Sequence, residues 1–65
     1  MKRELMTADE AAKYLNISKH WVYDHVRRST PRIPVIRLGG SLRFDPLDLD
    51  KFVNDQADAS RRKKN

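Results

Sequence analysis

The stretch TADEAAKYLNISKHWVYDHV, residues 7–26, decides the fold. Thr7 followed three residues on by Glu10 is a capping box: the threonine hydroxyl takes the backbone N–H of Glu10, and the Glu10 carboxylate reaches back. A first helix is therefore expected to start near Ala8. On a wheel of about 100° per residue, Ala8, Ala11, Ala12 and Leu15 share one face. The alanines on that face let a second helix approach closely. Asn16 tolerates the left-handed conformation that ends a helix in a tight turn, and Ile17 plugs the turn. Ser18 is a good N-cap for a second helix over residues 19–28. Ser29, Thr30 and Pro31 stop it, because the residue before proline avoids the helical region.

The second helix has two distinct sides. Ser18, Val22, His25 and Val26 turn inward, whereas His20, Tyr23, Asp24 and Arg27 turn outward with Lys19 and Arg28 on the flanks. In a helix-turn-helix the N-terminal part of such a face meets base edges. His20, Tyr23, Asp24 and Arg27 are accordingly the base-edge candidates. An arginine suits guanine O6/N7, and an aspartate accepts from cytosine N4. Asp24 has a plainer alternative, an intrahelical pair with Arg27 or Arg28, worth tenths of a kcal/mol. Tyr23 has one too, packing against the first helix. Trp21 sits at the edge of the core face and is expected to be partly buried. The two histidines, His20 and His25, lie about 140° apart around the helix, whereas a metal pair prefers i, i+4 on one face. No metal and no cofactor is expected, and His25 reads as a partly buried core histidine.

Beyond the helices, Val35–Leu38, then Gly39-Gly40-Ser41, then Leu42–Phe44 read as a β-hairpin. Alternation places Ile36, Leu38, Leu42 and Phe44 on one face and Arg37 and Arg43 on the other. With a three-residue loop, 39–41, Leu38 opposes Leu42 and Arg37 opposes Arg43. Two opposed like charges are mildly destabilising, and a phosphate between them relieves the repulsion. Arg37, Ser41 and Arg43 are thus candidate DNA contacts of a wing; the alternative is a pair of solvated surface arginines. Asp45-Pro46 starts a third helix, with Asp45 as N-cap and Pro46 at the first position. Leu47, Phe52 and Val53, helped by Leu49, are expected to close the core. Residues 55–65 lack apolar periodicity and are expected to form a disordered basic tail. Its Arg61, Arg62, Lys63 and Lys64 either attract the DNA backbone or are simply solvated.

Composition sharpens this reading. Sixty-five residues allow one small domain, expected over residues 1–54, with about 60% of the unfolded chain's surface buried on folding. There is no cysteine, hence no disulfide or thiolate metal site. No apolar run approaches the roughly 18 residues of a membrane span, so no membrane partner is expected and a cytoplasmic protein is the default. The net charge of +5 is unevenly spread. Residues 1–44 hold nine Lys/Arg against four Asp/Glu, whereas residues 45–60 hold one Lys against five Asp. A basic body with an acidic stretch behind it orients basic face first on a polyanion. No nucleophile–base constellation or phosphate loop is present, and so small a chain leaves little room for a pocket. An enzyme, or a small-molecule substrate, is therefore not expected. The fold expected is mainly α with a small β-hairpin: a winged helix-turn-helix of three helices and a two-stranded antiparallel wing.

The order Thr7–Leu15, Ser18–Val26, then Ile36–Leu49 resembles the excisionase-like winged helix-turn-helix family, which is related to the DNA-binding domains of MerR-type regulators. The resemblance covers about residues 5–53. Against the general helix-turn-helix pattern, Asn16 stands where glycine is usual, and His25 falls on the last apolar position. The linker Ser29–Pro34 is longer and richer in proline than the family's connection. The resemblance implies a bacterial or phage protein that binds double-stranded DNA, with helix two in the major groove and the wing over the adjacent minor groove. Excisionases of this kind bend DNA and cooperate with an integrase as recombination directionality factors in prophage excision; other members regulate transcription. With no dimerising element, neighbouring copies on direct repeats are the expected arrangement. The competing class is a protein-interaction adaptor that uses the Trp21/Tyr23 region.

Overall fold

The structure, a computed structural model, describes residues 4–62. Lys63 and Lys64, two of the candidate backbone contacts, lie outside the described residues. The elements run α1 (Ala8–Leu15), α2 (Lys19–Arg27), β1 (Ile36–Leu38), β2 (Ser41–Arg43) and α3 (Pro46–Arg62). The two strands form one antiparallel sheet. The architecture is the expected winged helix-turn-helix.

Local sequence explains the first half of the chain. The Thr7 N–H donates to Glu10 Oε1 at 2.9 Å and the Glu10 N–H to Thr7 Oγ1 at 3.2 Å, so both halves of the capping box form. Asn16 ends α1 at φ 59° and ψ 47°, the left-handed region. There its N–H and that of Ile17 return to the carbonyls of Lys13 and Ala12, satisfying groups a helix end leaves open. Two residues on, the Ser18 hydroxyl accepts the Trp21 N–H at 3.1 Å and starts α2. Ala8, Ala11 and Ala12 of α1 and Val22 and Val26 of α2 are buried in one cluster with Ile33, Phe44 and Leu49. Small side chains on α1 are what allow the two helices this approach.

The wing differs from expectation in register. Ile36 pairs with Arg43, Arg37 with Leu42 and Leu38 with Ser41, so the loop is the two residues Gly39-Gly40 rather than three. Gly39 adopts φ +61°, and a positive φ at the first loop position matches the turn to the twist of the strands. Relative to the expected pairing, one strand is turned over. Leu42 and Phe44 keep their inward face, but Val35, just before the first strand, packs against the core in place of Ile36 and Leu38. Leu38 stands 52% exposed.

Two anchors were not evident in the sequence. Met6 and Phe44 form an antiparallel bridge, each N–H donating to the other's carbonyl at 2.8 Å. The N-terminal segment is thereby tied to the end of β2. In the linker, Ile33 is buried and donates its N–H to the His25 carbonyl at 3.1 Å. The Pro-rich connection is thus pinned near its end.

Helix α3 begins as expected, with the Leu47 N–H donating to Asp45 Oδ1 at 3.0 Å. Its core contribution is reordered: Leu49 is fully buried and Phe52 half-buried, while Leu47 and Val53 are 59% and 45% exposed. Asp45 sets the phase of the helix, and in that phase positions 49 and 52 meet the core whereas 47 and 53 fall outside or at its edge. The helix also continues through Arg62, across residues expected to be a disordered tail. No proline or glycine interrupts it after Pro46. Lys51–Asp55 and Asp58–Arg61 pairs line it, and Arg61 and Arg62 sit in the last turn where the helix dipole favours cations.

These positions make the reordering testable by urea denaturation. Leu49→Ala is expected to destabilise the domain by about 2–5 kcal/mol, as a buried leucine does. Leu47→Ala is expected to stay within about 0.5 kcal/mol. Comparable losses from both would contradict the observed packing of α3.

Candidate nucleic-acid interface

The solvent side of α2 carries the candidate site. His20, Tyr23, Asp24, Arg27 and Arg28 line one shallow concavity. Tyr23 is 42% exposed and so does not pack into the helix interface. Arg27 is exposed, and its side chain forms no hydrogen bond or ion pair among the described residues. Lys19, at the start of the helix, is held toward α1 by Asp9 at 2.9 Å, which also raises its pKa. That ion pair is exposed on both sides and weak in water, so Lys19 is easily released to a phosphate.

The inward side of α2 orients this face. Val22 and Val26 are buried, and Trp21 stacks on His25 with ring centroids 3.5 Å apart and planes 8° from parallel. His25 Nδ1 lies 3.0 Å from the Trp21 carbonyl oxygen, an acceptor that keeps the proton on that nitrogen. Both rings are half-buried. Trp21 is therefore part of the packing.

Asp24 has partners of its own. Arg28 Nε donates to Oδ1 at 3.2 Å and Ser29 Oγ donates to Oδ2 at 2.7 Å. Of the two pairings left open by the sequence, the carboxylate takes Arg28. The Ser29 hydroxyl, then the Arg28 guanidinium, hold its pKa below the usual carboxylate range.

The wing arginines separate. Because Arg37 opposes Leu42 and Arg43 opposes Ile36, the two guanidinium groups leave from opposite faces of the hairpin, not from one face as expected. Arg37 is exposed; Arg43 is half-buried and its Nη1 donates to the Leu42 carbonyl at 2.8 Å. Ser41 opens β2 and is exposed. Arg61 and Arg62 close α3, with Arg61 3.7 Å from Asp58. Opposite α2, Tyr14 Oη donates to Asp50 Oδ1 at 2.5 Å, linking α1 to α3, and this bond raises the tyrosine pKa. Among the described residues no three His, Cys, Asp or Glu gather to hold a metal ion, and no helix is long and apolar enough to cross a membrane.

A helix-turn-helix whose second helix shows a basic, polar face beside a β-hairpin defines a class of DNA-binding domain. The family model of the helix-turn-helix domain matches residues 5–57, and the chain belongs to that family. No curated protein and no solved structure matches the chain.

The depressed Asp24 pKa carries a sign. A carboxyl whose pKa is lower in the folded than in the unfolded state stabilises the fold above its unfolded value, near 3.8, and loses that contribution as pH falls through the folded value. The urea midpoint of the wild type is therefore expected to fall more steeply below pH 4 than that of Asp24→Asn. Parallel curves would show that the carboxylate's partners do not stabilise the fold.

Proposed function

We propose that this chain is a noncatalytic, sequence-preferring binder of duplex DNA, with α2 in the major groove and the β1–β2 wing over the adjacent minor groove. The observation that carries the reading is the concavity of His20, Tyr23, Asp24, Arg27 and Arg28 on the solvent side of the second helix. His20, Tyr23 and Arg27 are the base-edge residues, and Arg27 suits guanine O6/N7. Lys19, Arg28, Arg37, Ser41 and Arg43 are the backbone contacts, and Arg61 and Arg62 add nonspecific attraction. Asp48, Asp50, Asp55 and Asp58 repel phosphate, so residues 46–58 of α3 face away from the duplex, and only the last turn, with Arg61 and Arg62, adds attraction.

The finer reading is an excisionase-like recombination directionality factor of phage or mobile-element type, with a MerR-like domain. The order of motifs from Thr7 to Leu49 supports it. Its partners are then an integrase and neighbouring copies on direct repeats. The adaptor alternative relied on an exposed Trp21/Tyr23 surface, and Trp21 is half-buried against His25.

Fluorescence anisotropy with a random duplex of about 20 base pairs tests the class. About five phosphate contacts give a log–log salt slope near −4 to −5. No binding at low salt would overturn it. Site selection then tests the finer reading: direct repeats, bent on binding, are expected, and a single unbent site points to a small transcriptional regulator.

The hairpin register adds a prediction about the wing. Arginines on opposite faces do not meet one phosphate backbone equally. Arg37→Ala is expected to flatten the salt slope by about 0.9, and Arg43→Ala, whose guanidinium already bonds its own strand, by clearly less. Equal losses would restore the picture of two arginines on one face.

A further inference from the structure

Asp24 is an anion in the middle of the face that meets DNA. It is fixed there by more than one bond. Its backbone carbonyl accepts the N–H groups of Arg28 and Ser29, both at 3.1 Å, as α2 ends. Its carboxylate accepts the Ser29 hydroxyl at 2.7 Å and Arg28 Nε at 3.2 Å. The carboxylate is 29% exposed, whereas the Arg28 side chain is 81% exposed. So the aspartate is anchored, and the arginine it pairs with remains within reach of a ligand in solvent. Carboxylate and phosphate are alternative oxyanion partners for a guanidinium.

We infer that Asp24 is a specificity-determining residue which acts through Arg28: its anchored carboxylate occupies that guanidinium and keeps it from contributing fully to sequence-independent phosphate binding. This rests on the reading of α2 as the DNA-facing helix. The physical logic is subtraction. Affinity for any duplex grows with the number of phosphates neutralised, and specificity is a difference between affinities. A fixed negative charge beside Arg27 and Arg28 lowers binding to every sequence. Contacts from His20, Tyr23 and Arg27 to base edges then decide which duplex is held. Without the carboxylate, Arg28 contributes fully to phosphate binding on any sequence, and the advantage of the preferred site shrinks.

The test is anisotropy binding of wild type, Asp24→Asn, Arg28→Gln and the double variant to random duplex across a salt series. It is repeated with the duplex that wild type enriches in site selection. Asparagine keeps the shape and can still bond Ser29. Asp24→Asn is expected to bind random duplex several-fold more tightly, with a salt slope steeper by about 0.5–0.9, and to show a smaller ratio of selected-site to random affinity. In the Arg28→Gln background the same substitution is expected to leave the slope unchanged. An unchanged or flatter slope for Asp24→Asn, or equal steepening without Arg28, overturns the inference while leaving DNA binding intact. Wild type that binds no duplex overturns the DNA reading itself. Should Asp24→Asn fail to fold by circular dichroism, the single arginine variants decide. An occupied Arg28 predicts that Arg28→Gln flattens the slope by less than half as much as Arg37→Gln, and equal flattening overturns it.

Discussion

Phe44 is the residue on which the parts of this domain converge. Its side chain is fully buried, its N–H and carbonyl both bond Met6, and its neighbour Asp45 caps α3. One position thus closes the wing, ties down the N-terminal segment and launches the last helix. A chain of 65 residues buries little apolar surface. Among the described residues, three of the buried ones are alanines, and the largest fully buried side chains are Phe44, Leu49 and Val22. With so small a core, the angle between wing and helices depends on these few contacts.

The first half of the chain was legible because its signals are local. The capping box, the left-handed Asn16 and the Ser18 cap each act within four residues, and alanine on one helical face has one plausible use. The outward face of α2 was legible for the same reason, since helical periodicity separates Val22 and Val26 from His20, Tyr23 and Arg27. The wing was harder. Val35, Ile36 and Leu38 are three apolar residues within four, so alternation fits either face. The tie is broken by the loop, and Gly39-Gly40 is itself the signal of a two-residue turn. Giving that dipeptide priority over the like-charge pairing yields the observed register.

Other features were hidden for stated physical reasons. The Met6–Phe44 bridge joins residues far apart in the chain, which no local pattern encodes. Ile33 sits between Arg32 and Pro34 with no periodicity around it, yet it is buried. Asp24 with Arg28 fits the i, i+4 spacing, but Ser29 lies beyond the helix and its part depends on how the chain leaves α2. Residues 55–62 lack an apolar stripe, and they are helical nonetheless because nothing in them breaks a helix and their charges are well placed along it.

The separation of roles around α2 has an evolutionary consequence. His20, Tyr23 and Arg27 are exposed, while Trp21, Val22, His25 and Val26 hold the helix in place. The outward positions are thus free to drift with little penalty to folding, and on the proposed reading of α2 a few codon changes there suffice to alter which duplex is preferred. The turn, the cap at Ser18 and the buried valines constrain such drift to the face that reads. On that reading a scaffold this small tolerates retargeting, because the residues proposed to meet DNA are not the residues that keep it folded.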